Sequence, residues 1–320
     1  MNKFSLYFIL PLLSIVLFSC SKDDDKKLAP PRDFAEQYPS ELDSIENYLK
    51  THSFTVVDVD GRQDVKIDTF IVGNTEGKVS IWDNTAYPLK FKMVKNDVRV
   101  SNFVDGQIKD PVEYKMYYLI LNEGGGDSTT RFDSTYVSYR GWRLNNKQVD
   151  ISNTPSWATF PALTQNETSL ISGFRQFLPM LKAAVKPYTT GENGEVIFND
   201  SGAGVVFIPS GLGYYNVYRP NIPAYSPLVF TVRLHSVRER DHDRDGILSK
   251  FENGAAVEDL YTVDTDGDNI PDFLDVDDDG DGVRTKLEIK NPATGLPFPF
   301  DEIPTCPGGT LKKHLDPSCQ

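Results

Sequence analysis

IPSGLGYYNVYRPNIPAYSPLVFTVRL, residues 208–234, decides the reading of this chain. In its last eight residues Leu228, Phe230, Val232 and Leu234 alternate with Val229, Thr231 and Arg233, the period-two pattern of a strand with one strongly apolar side. Working outward, DSTYVSYRGWRL at 133–144 alternates in the same way, and YKMYYLIL at 114–121 is another strand-like run that ends in the loop EGGGD. In TSLISGFRQFLPML, Leu170, Ile171, Phe174, Phe177, Leu178 and Leu181 fall on one helical face, and Pro179 is placed to kink or end that helix. This order predicts an α+β fold, a short helix laid across an antiparallel β-sheet.

The segment I-P-x-x-L-x-Y at 208–214 and I-P-x-x-x-x-L-V-F at 222–230, with YVSYRGW at 136–142, resembles the second half of an FKBP-type peptidyl-prolyl isomerase. The resemblance covers roughly residues 112–237 and implies a sheet wrapped on a short helix with an apolar, ring-lined pocket. It assigns pocket positions to Tyr139, Asp150, Leu170, Ile171, Phe174, Tyr214, Ile222 and Phe230. Tyr214 is matched to the family tyrosine whose hydroxyl meets the substrate carbonyl. Val149 stands where the family has phenylalanine, and Phe174 where it has tryptophan. Trp157 or Phe160 is offered for the remaining aromatic position. TTGENGEVIFNDSGAG at 189–204 reads as an insertion ahead of a strand at 205–209. The chemistry implied is rotation about X-Pro bonds, whose barrier is about 18–20 kcal/mol because the amide nitrogen is conjugated with its carbonyl. A site that strips water from the amide and fits its twisted form lowers that barrier without a nucleophile or cofactor.

Other catalytic patterns are missing from the sequence. His52, His235, His242 and His314 are scattered, no G-x-S-x-G occurs, and Gly124 to Gly126 lacks the lysine and the strand-to-helix context of a phosphate loop.

The formal net charge of −13 is local, since residues 241–288 hold 16 acidic and 4 basic side chains. That distribution argues against nucleic acid as a partner and for a cation. Within the stretch, Asp241, Asp243, Asp245, Gly246 and Glu252 follow the twelve-residue D-x-D-x-D-G loop closed by glutamate, and so do Asp277, Asp279, Asp281, Gly282 and Glu288. Between them Asp264, Asp266, Asp268, Asp272 and Asp275 form a variant, with Asn269 at the glycine position and Pro271 inside. Carboxylates so spaced wrap a hard cation, and calcium is the expected, structural ion. The second loop ends two residues before the third begins, which resembles thrombospondin type 3 or dockerin-like repeats more than paired EF-hands.

At the N-terminus an apolar run at 4–18 after Lys3 ends in Leu-Phe-Ser-Cys and is followed by SKDDDKK. It reads as a signal peptide at 1–19 with a lipobox, leaving Cys20 as a lipidated residue on a tether at 20–32, and the acidic tag resembles that of surface-exported Bacteroidetes lipoproteins. The expected location is the bacterial envelope, at the outer membrane or cell surface. The remaining cysteines, Cys306 and Cys319, are expected to pair in the tail at 291–320. Residues 33–111 read as a helix from Pro39 to His52, with Ser40 as a candidate N-cap, followed by β-type runs FTVVDV, VKIDTFIVG, KVSIW and LKFKMV of no assigned function. The organisation expected is thus 33–111, an isomerase domain at 112–237, acidic repeats at 238–290 and the tail. The functions weighed are a folding catalyst for proline-containing exported polypeptides, a peptide-binding chaperone or adhesion module without turnover, and a calcium-binding surface scaffold.

Overall fold

The structure, a computed structural model, describes residues 30–58, 63–70, 77–252 and 259–319. The signal peptide, Cys20 and most of the tether lie outside these residues. A helix α1 (Phe34–Thr51) leads into a hairpin of β1 (His52–Asp58) and β2 (Gln63–Thr69), then β3 (Lys90–Lys95), β4 (Glu113–Asn122), β5 (Ser134–Arg143) and β6 (Gln148–Ala158). The short helix α2 (Ser172–Phe177) is followed by β7 (Thr189–Thr190), β8 (Val196–Ile197), β9 (Gly202–Ile208) and β10 (Leu228–Arg238), and a last short helix, α3 (Thr285–Glu288), lies among the acidic loops. No helix among the described residues is long and apolar enough to cross a membrane.

Six strands form one antiparallel sheet in the order β3-β4-β9-β10-β5-β6. Leu228, Phe230, Val232 and Leu234 of β10 face one core, shared with Phe174, Phe177 and Leu178 around α2. The opposite face, of which the alternation said only that it is the less apolar one, is covered as well. Ile45, Tyr48 and Leu49 of α1 and Val65 of β2 pack there on Tyr117, Leu119, Phe207 and Val229. Asp64 of β2 reaches through this layer to accept from Thr231 Oγ1 at 2.8 Å and from Arg140 Nη2 at 3.1 Å. Residues 33–111, to which the sequence assigned no role, therefore roof the second face and supply the edge strand β3, ahead of residue 112.

Local expectations are adjusted in three places. α1 begins at Phe34, not near Ser40, because the Asp33 carboxylate accepts from the Ala35 amide at 2.8 Å and starts the helix there. Pro39 lies inside α1, past its first turn, where it has no N–H for the Ala35 carbonyl, and Ser40 donates back to the Gln37 carbonyl at 3.0 Å instead of capping. KVSIW is not a strand. Its Ile81 and Trp82 amides dock on the carbonyls of His52 and Leu49, and the Ile81 side chain is fully buried against α1. The helix expected across 170–181 is shorter. Leu170 and Ile171 precede α2, with Ile171 extended at ψ 154°, and Pro179 lies in a 3-10 turn, Leu178–Met180, that ends it. The inserted stretch at 189–204 holds the β7–β8 hairpin and the start of β9.

The acidic loops are docked on this body. Phe132 and Phe160 share a cluster with Leu260, Tyr261 and Phe273, and Arg131 pairs with both Asp97 and Asp259 at 3.5 and 3.4 Å. Cys306 and Cys319 are joined in a disulfide with their Cα atoms 5.6 Å apart.

One polar contact ties α1 to the turn after β9. Glu41, 4% exposed, accepts from the Ser210 amide at 2.8 Å and from its hydroxyl at 2.5 Å. Glu41→Ala leaves the Ser210 amide buried without that acceptor, and urea unfolding is expected to show a loss of about 1–3 kcal/mol. A loss below about 0.5 kcal/mol contradicts a role for this contact in holding the turn.

Candidate functional site

Three rings meet where β5, β10 and α2 converge. Centroids lie 5.5 Å apart for Tyr139 and Phe174, 5.8 Å for Tyr139 and Phe230, and 5.5 Å for Phe174 and Phe230, with interplanar angles of 79°, 73° and 67°. This edge-to-face arrangement sets the positive edge of each ring against the face of another and holds all three in place. The register makes room for it. Gly141 sits opposite Phe230, and a Cβ at 141 would lie 2.3 Å from the Phe230 ring, so only glycine lets the ring occupy that position.

Ile222 is buried in the core cluster that contains the three rings, and Leu170, Ile171, Tyr214 and Val149 are half-buried against that cluster. Asp150 is the polar member, exposed on β6, where its Oδ2 accepts from the Tyr139 hydroxyl at 3.0 Å. Burial, reinforced by that carboxylate, pushes the Tyr139 hydroxyl up to about 12, so it stays a proton donor throughout the neutral range. Tyr214 is raised too, chiefly by burial and then by Asp150, while Arg219, 5.3 Å from its ring, acts the other way. Of the residues assigned from the family resemblance, Tyr139, Phe174 and Phe230 are in mutual contact and Asp150 is bonded to Tyr139, while Leu170, Ile171, Tyr214 and Ile222 belong to the larger core cluster that contains the three rings. Val149 adds an aliphatic side chain to it instead of a ring. Trp157 and Phe160 are engaged elsewhere: Trp157 packs on Tyr136 at 5.0 Å, and Phe160 lies under the Arg175 guanidinium at 3.7 Å. Sequence reasoning missed Arg175 itself, which follows Phe174, is buried, and donates to Asp97 at 2.6 Å. Chemically, the arrangement offers a dry, packed cluster of rings, with Phe174 and Phe230 buried and the half-buried tyrosine Tyr139 bonded through its hydroxyl to the exposed Asp150. A cavity of about 730 Å³ elsewhere, lined in part by Lys92, Lys95, Asp97, Arg131 and Asp259, is mixed in charge and is not lined by the three rings.

The second site is acidic. Carboxylate oxygens of Asp241, Asp243 and Asp245 lie within 4.8 Å of one another, as do those of Asp264, Asp266 and Asp268, and of Asp277, Asp279 and Asp281. Asn269 takes up φ +78°, the left-handed conformation that Gly246 and Gly282 adopt at the same loop position, which explains how asparagine serves there. Glu252 and Glu288 are buried, and neither has a hydrogen-bond partner for either carboxylate oxygen. Buried, unpartnered carboxylates are costly alone and fit a bound cation. Asp272 and Asp275 behave differently. Asp272 accepts from the Thr265 amide and hydroxyl at 2.8 and 2.7 Å, and Asp275 from the amides of Val276 and Asp277, so both are engaged in holding the loop backbone. A further buried acid, Asp278, groups with Asp245 and Glu252, although the twelve-residue pattern gives it no role.

Residues 242–313, most of the acidic loops and the tail, match a family model described as BamM C-terminal. No curated protein matches the chain. Similar solved structures include FkpA from Escherichia coli, at 24% identity over 39% of this chain and 48% of that one, with a TM-score of 0.30. A peptidyl-prolyl cis-trans isomerase from Pseudomonas syringae pv. tomato is 20% identical over 43% of this chain and 80% of that one, also with a TM-score of 0.30. The N-terminal domain of FKBP42 from Arabidopsis thaliana is 15% identical over 46% of this chain and 100% of that one, at the same score. The chain spans about half the length of FkpA. At a TM-score of 0.30 none of these likenesses defines the chemistry.

Burial raises the loop acids, with Asp245 at about 6, Glu288 at about 7 and Asp243 at about 9, each helped by neighbouring carboxylates. Such groups hold protons more tightly folded than unfolded, so their contribution is full below the ordinary carboxylate range and is lost as pH rises through the folded values. In EDTA the melting temperature is expected to fall between about pH 5 and 9, and saturating calcium, which binds ionised carboxylates, is expected to remove that fall. A profile unaffected by calcium contradicts a cation in these loops.

Proposed function

We propose that this chain is an FKBP-type peptidyl-prolyl cis-trans isomerase, acting on proline-containing exported polypeptides, lipid-anchored through Cys20 at the bacterial envelope and stiffened by calcium in its acidic loops. The observation that carries the reading is the mutually edge-on triangle of Tyr139, Phe174 and Phe230, with Tyr214 and Ile222 in the same cluster. The aromatic walls exclude water from an X-Pro amide, and loss of solvation favours the twisted form in which the nitrogen lone pair leaves conjugation. A tyrosine hydroxyl kept protonated by burial can donate to the substrate carbonyl, and Tyr214 holds that role by resemblance. Asp150 acts by orienting Tyr139. Calcium, when bound, supplies rigidity to the loops and takes no part in the rotation.

A second reading, a peptide-binding chaperone or adhesion module without turnover, is favoured by Val149, which puts an aliphatic side chain where a ring is expected. Protease-free exchange measurements on a proline peptide, with the full chain in detergent, separate the two. Acceleration that falls at least about tenfold in Tyr214→Ala, with the melting temperature kept, supports turnover at this site, on the scale of one lost transition-state contact. Binding of the peptide with no acceleration supports the second reading. Equal acceleration in the parent, Tyr214→Ala and Phe230→Ala overturns the site assignment.

A further inference from the structure

The three acidic loops share an internal tie that exposes an exception. In each, the residue at loop position two is bound to the residue at position nine. His242 meets the Ser249 hydroxyl through its amide at 3.2 Å and its ring Nδ1 at 2.8 Å. The amide and hydroxyl of Thr265 both donate to Asp272. The amide of Asp278 donates to Thr285 Oγ1 at 3.1 Å. In the first two loops the side chain of position two is spent on this tie; in the third the bond of good geometry comes from the backbone, and the Asp278 carboxylate, although close enough to the Thr285 hydroxyl to have its pKa lowered by it, completes no hydrogen bond of its own.

That carboxylate is 1% exposed, and neither oxygen has a hydrogen-bond partner. It is directed at the first loop: one oxygen each of Asp278, Asp245 and Glu252 lie within 4.8 Å of one another. Asp245 and Glu252 are 2% and 8% exposed and also carry oxygens without partners. Among the described residues none of the three forms an ion pair. Three buried acids with unpartnered oxygens directed at one point, with no cationic side chain between them, make a cradle for a metal ion. Position nine of the first loop, where such loops commonly reach the ion through water, is occupied by the Ser249 contact with His242, so a place in the shell remains for a ligand from outside the loop.

We propose that Asp278 is a ligand of the cation held by the first loop, so that one hard divalent ion of calcium's class is bound jointly by the first and third loops. The inference rests on the calcium reading above and goes beyond it: the ion is a cross-link between segments far apart in sequence, and the first site is incomplete without the third loop. An all-carboxylate oxygen set selects such an ion over softer metals.

Calcium titration of the full chain in detergent by isothermal calorimetry, with melting temperatures measured in calcium and in EDTA, tests it. Asp278→Asn is expected to weaken one calcium site by at least about tenfold, the scale on which ligand charge tunes these loops, and to leave the others in place. The calcium-induced rise in melting temperature is expected to shrink by the same variant. Should Asp278→Asn fail to fold, Asp278→Glu, which keeps the charge and moves it by one methylene, is expected to shift the affinity of that same site. Unchanged affinities and an unchanged calcium-induced rise in the variant overturn the role of Asp278 while leaving calcium binding intact. A parent chain that takes up no calcium overturns the cation reading itself, and the inference with it.

Discussion

β10 is covered on both sides for nearly its whole length, and the arrangement of the rest follows from that burial. A strand in this position cannot shift by one residue, because the slip would exchange Leu228, Phe230 and Val232, packed around α2, with Val229, Thr231 and Arg233 on the α1 side. The lock on register places Phe230 opposite Gly141 and Val232 opposite Tyr139, so the rings meet α2 where Phe174 projects. Hydrophobic packing on both faces thus sets an aromatic triangle on a rigid base. The polar parts are added at the margin, with Asp150 on Tyr139 and Glu41 beneath the turn that leads to Tyr214.

The acidic module is joined to that base by more than covalent continuity. Arg175, one residue beyond Phe174, donates to Asp97, whose other oxygen faces Arg131, and Arg131 also pairs with Asp259 at the edge of the module. Phe160, under the Arg175 guanidinium, belongs to the cluster that holds Tyr261 and Phe273. Buried charges in such a chain depend on one another, since removing one leaves its partner unpaired in a low-dielectric setting. The acidic loops and α2 are therefore linked through named contacts, and the loops abut the scaffold that carries the ring cluster.

Much of this was legible in the sequence, and the limits have physical causes. β4, β5 and β10 declare themselves by alternation, a local pattern, whereas Tyr139, Phe174, Tyr214 and Phe230 are singled out only through the family resemblance, and of these the structure brings Tyr139, Phe174 and Phe230 into contact. The start of α1 was obscured by Ser40, as good a capping residue as Asp33, and the choice fell to Phe34, which stacks on Tyr215 at 4.1 Å, and so to packing distant in sequence. The role of β1 and β2 could not be read at all, since the Asp64–Thr231 contact spans 167 residues and no periodicity encodes it. KVSIW has the composition of a strand, yet its partners are the carbonyls at the end of α1. Asp278 was hidden for a related reason: a loop consensus describes ligands within twelve residues and is silent about an acid of the third loop that faces Asp245 and Glu252 of the first.

The central claim is that the Tyr139, Phe174 and Phe230 rings receive a proline-bearing backbone, and intermolecular nuclear Overhauser contacts between a labelled full chain and a short proline peptide address it most directly. The account predicts contacts from the proline ring protons to these three side chains. Contacts confined to the cavity beside Lys92 and Lys95, with none to the rings, would contradict it.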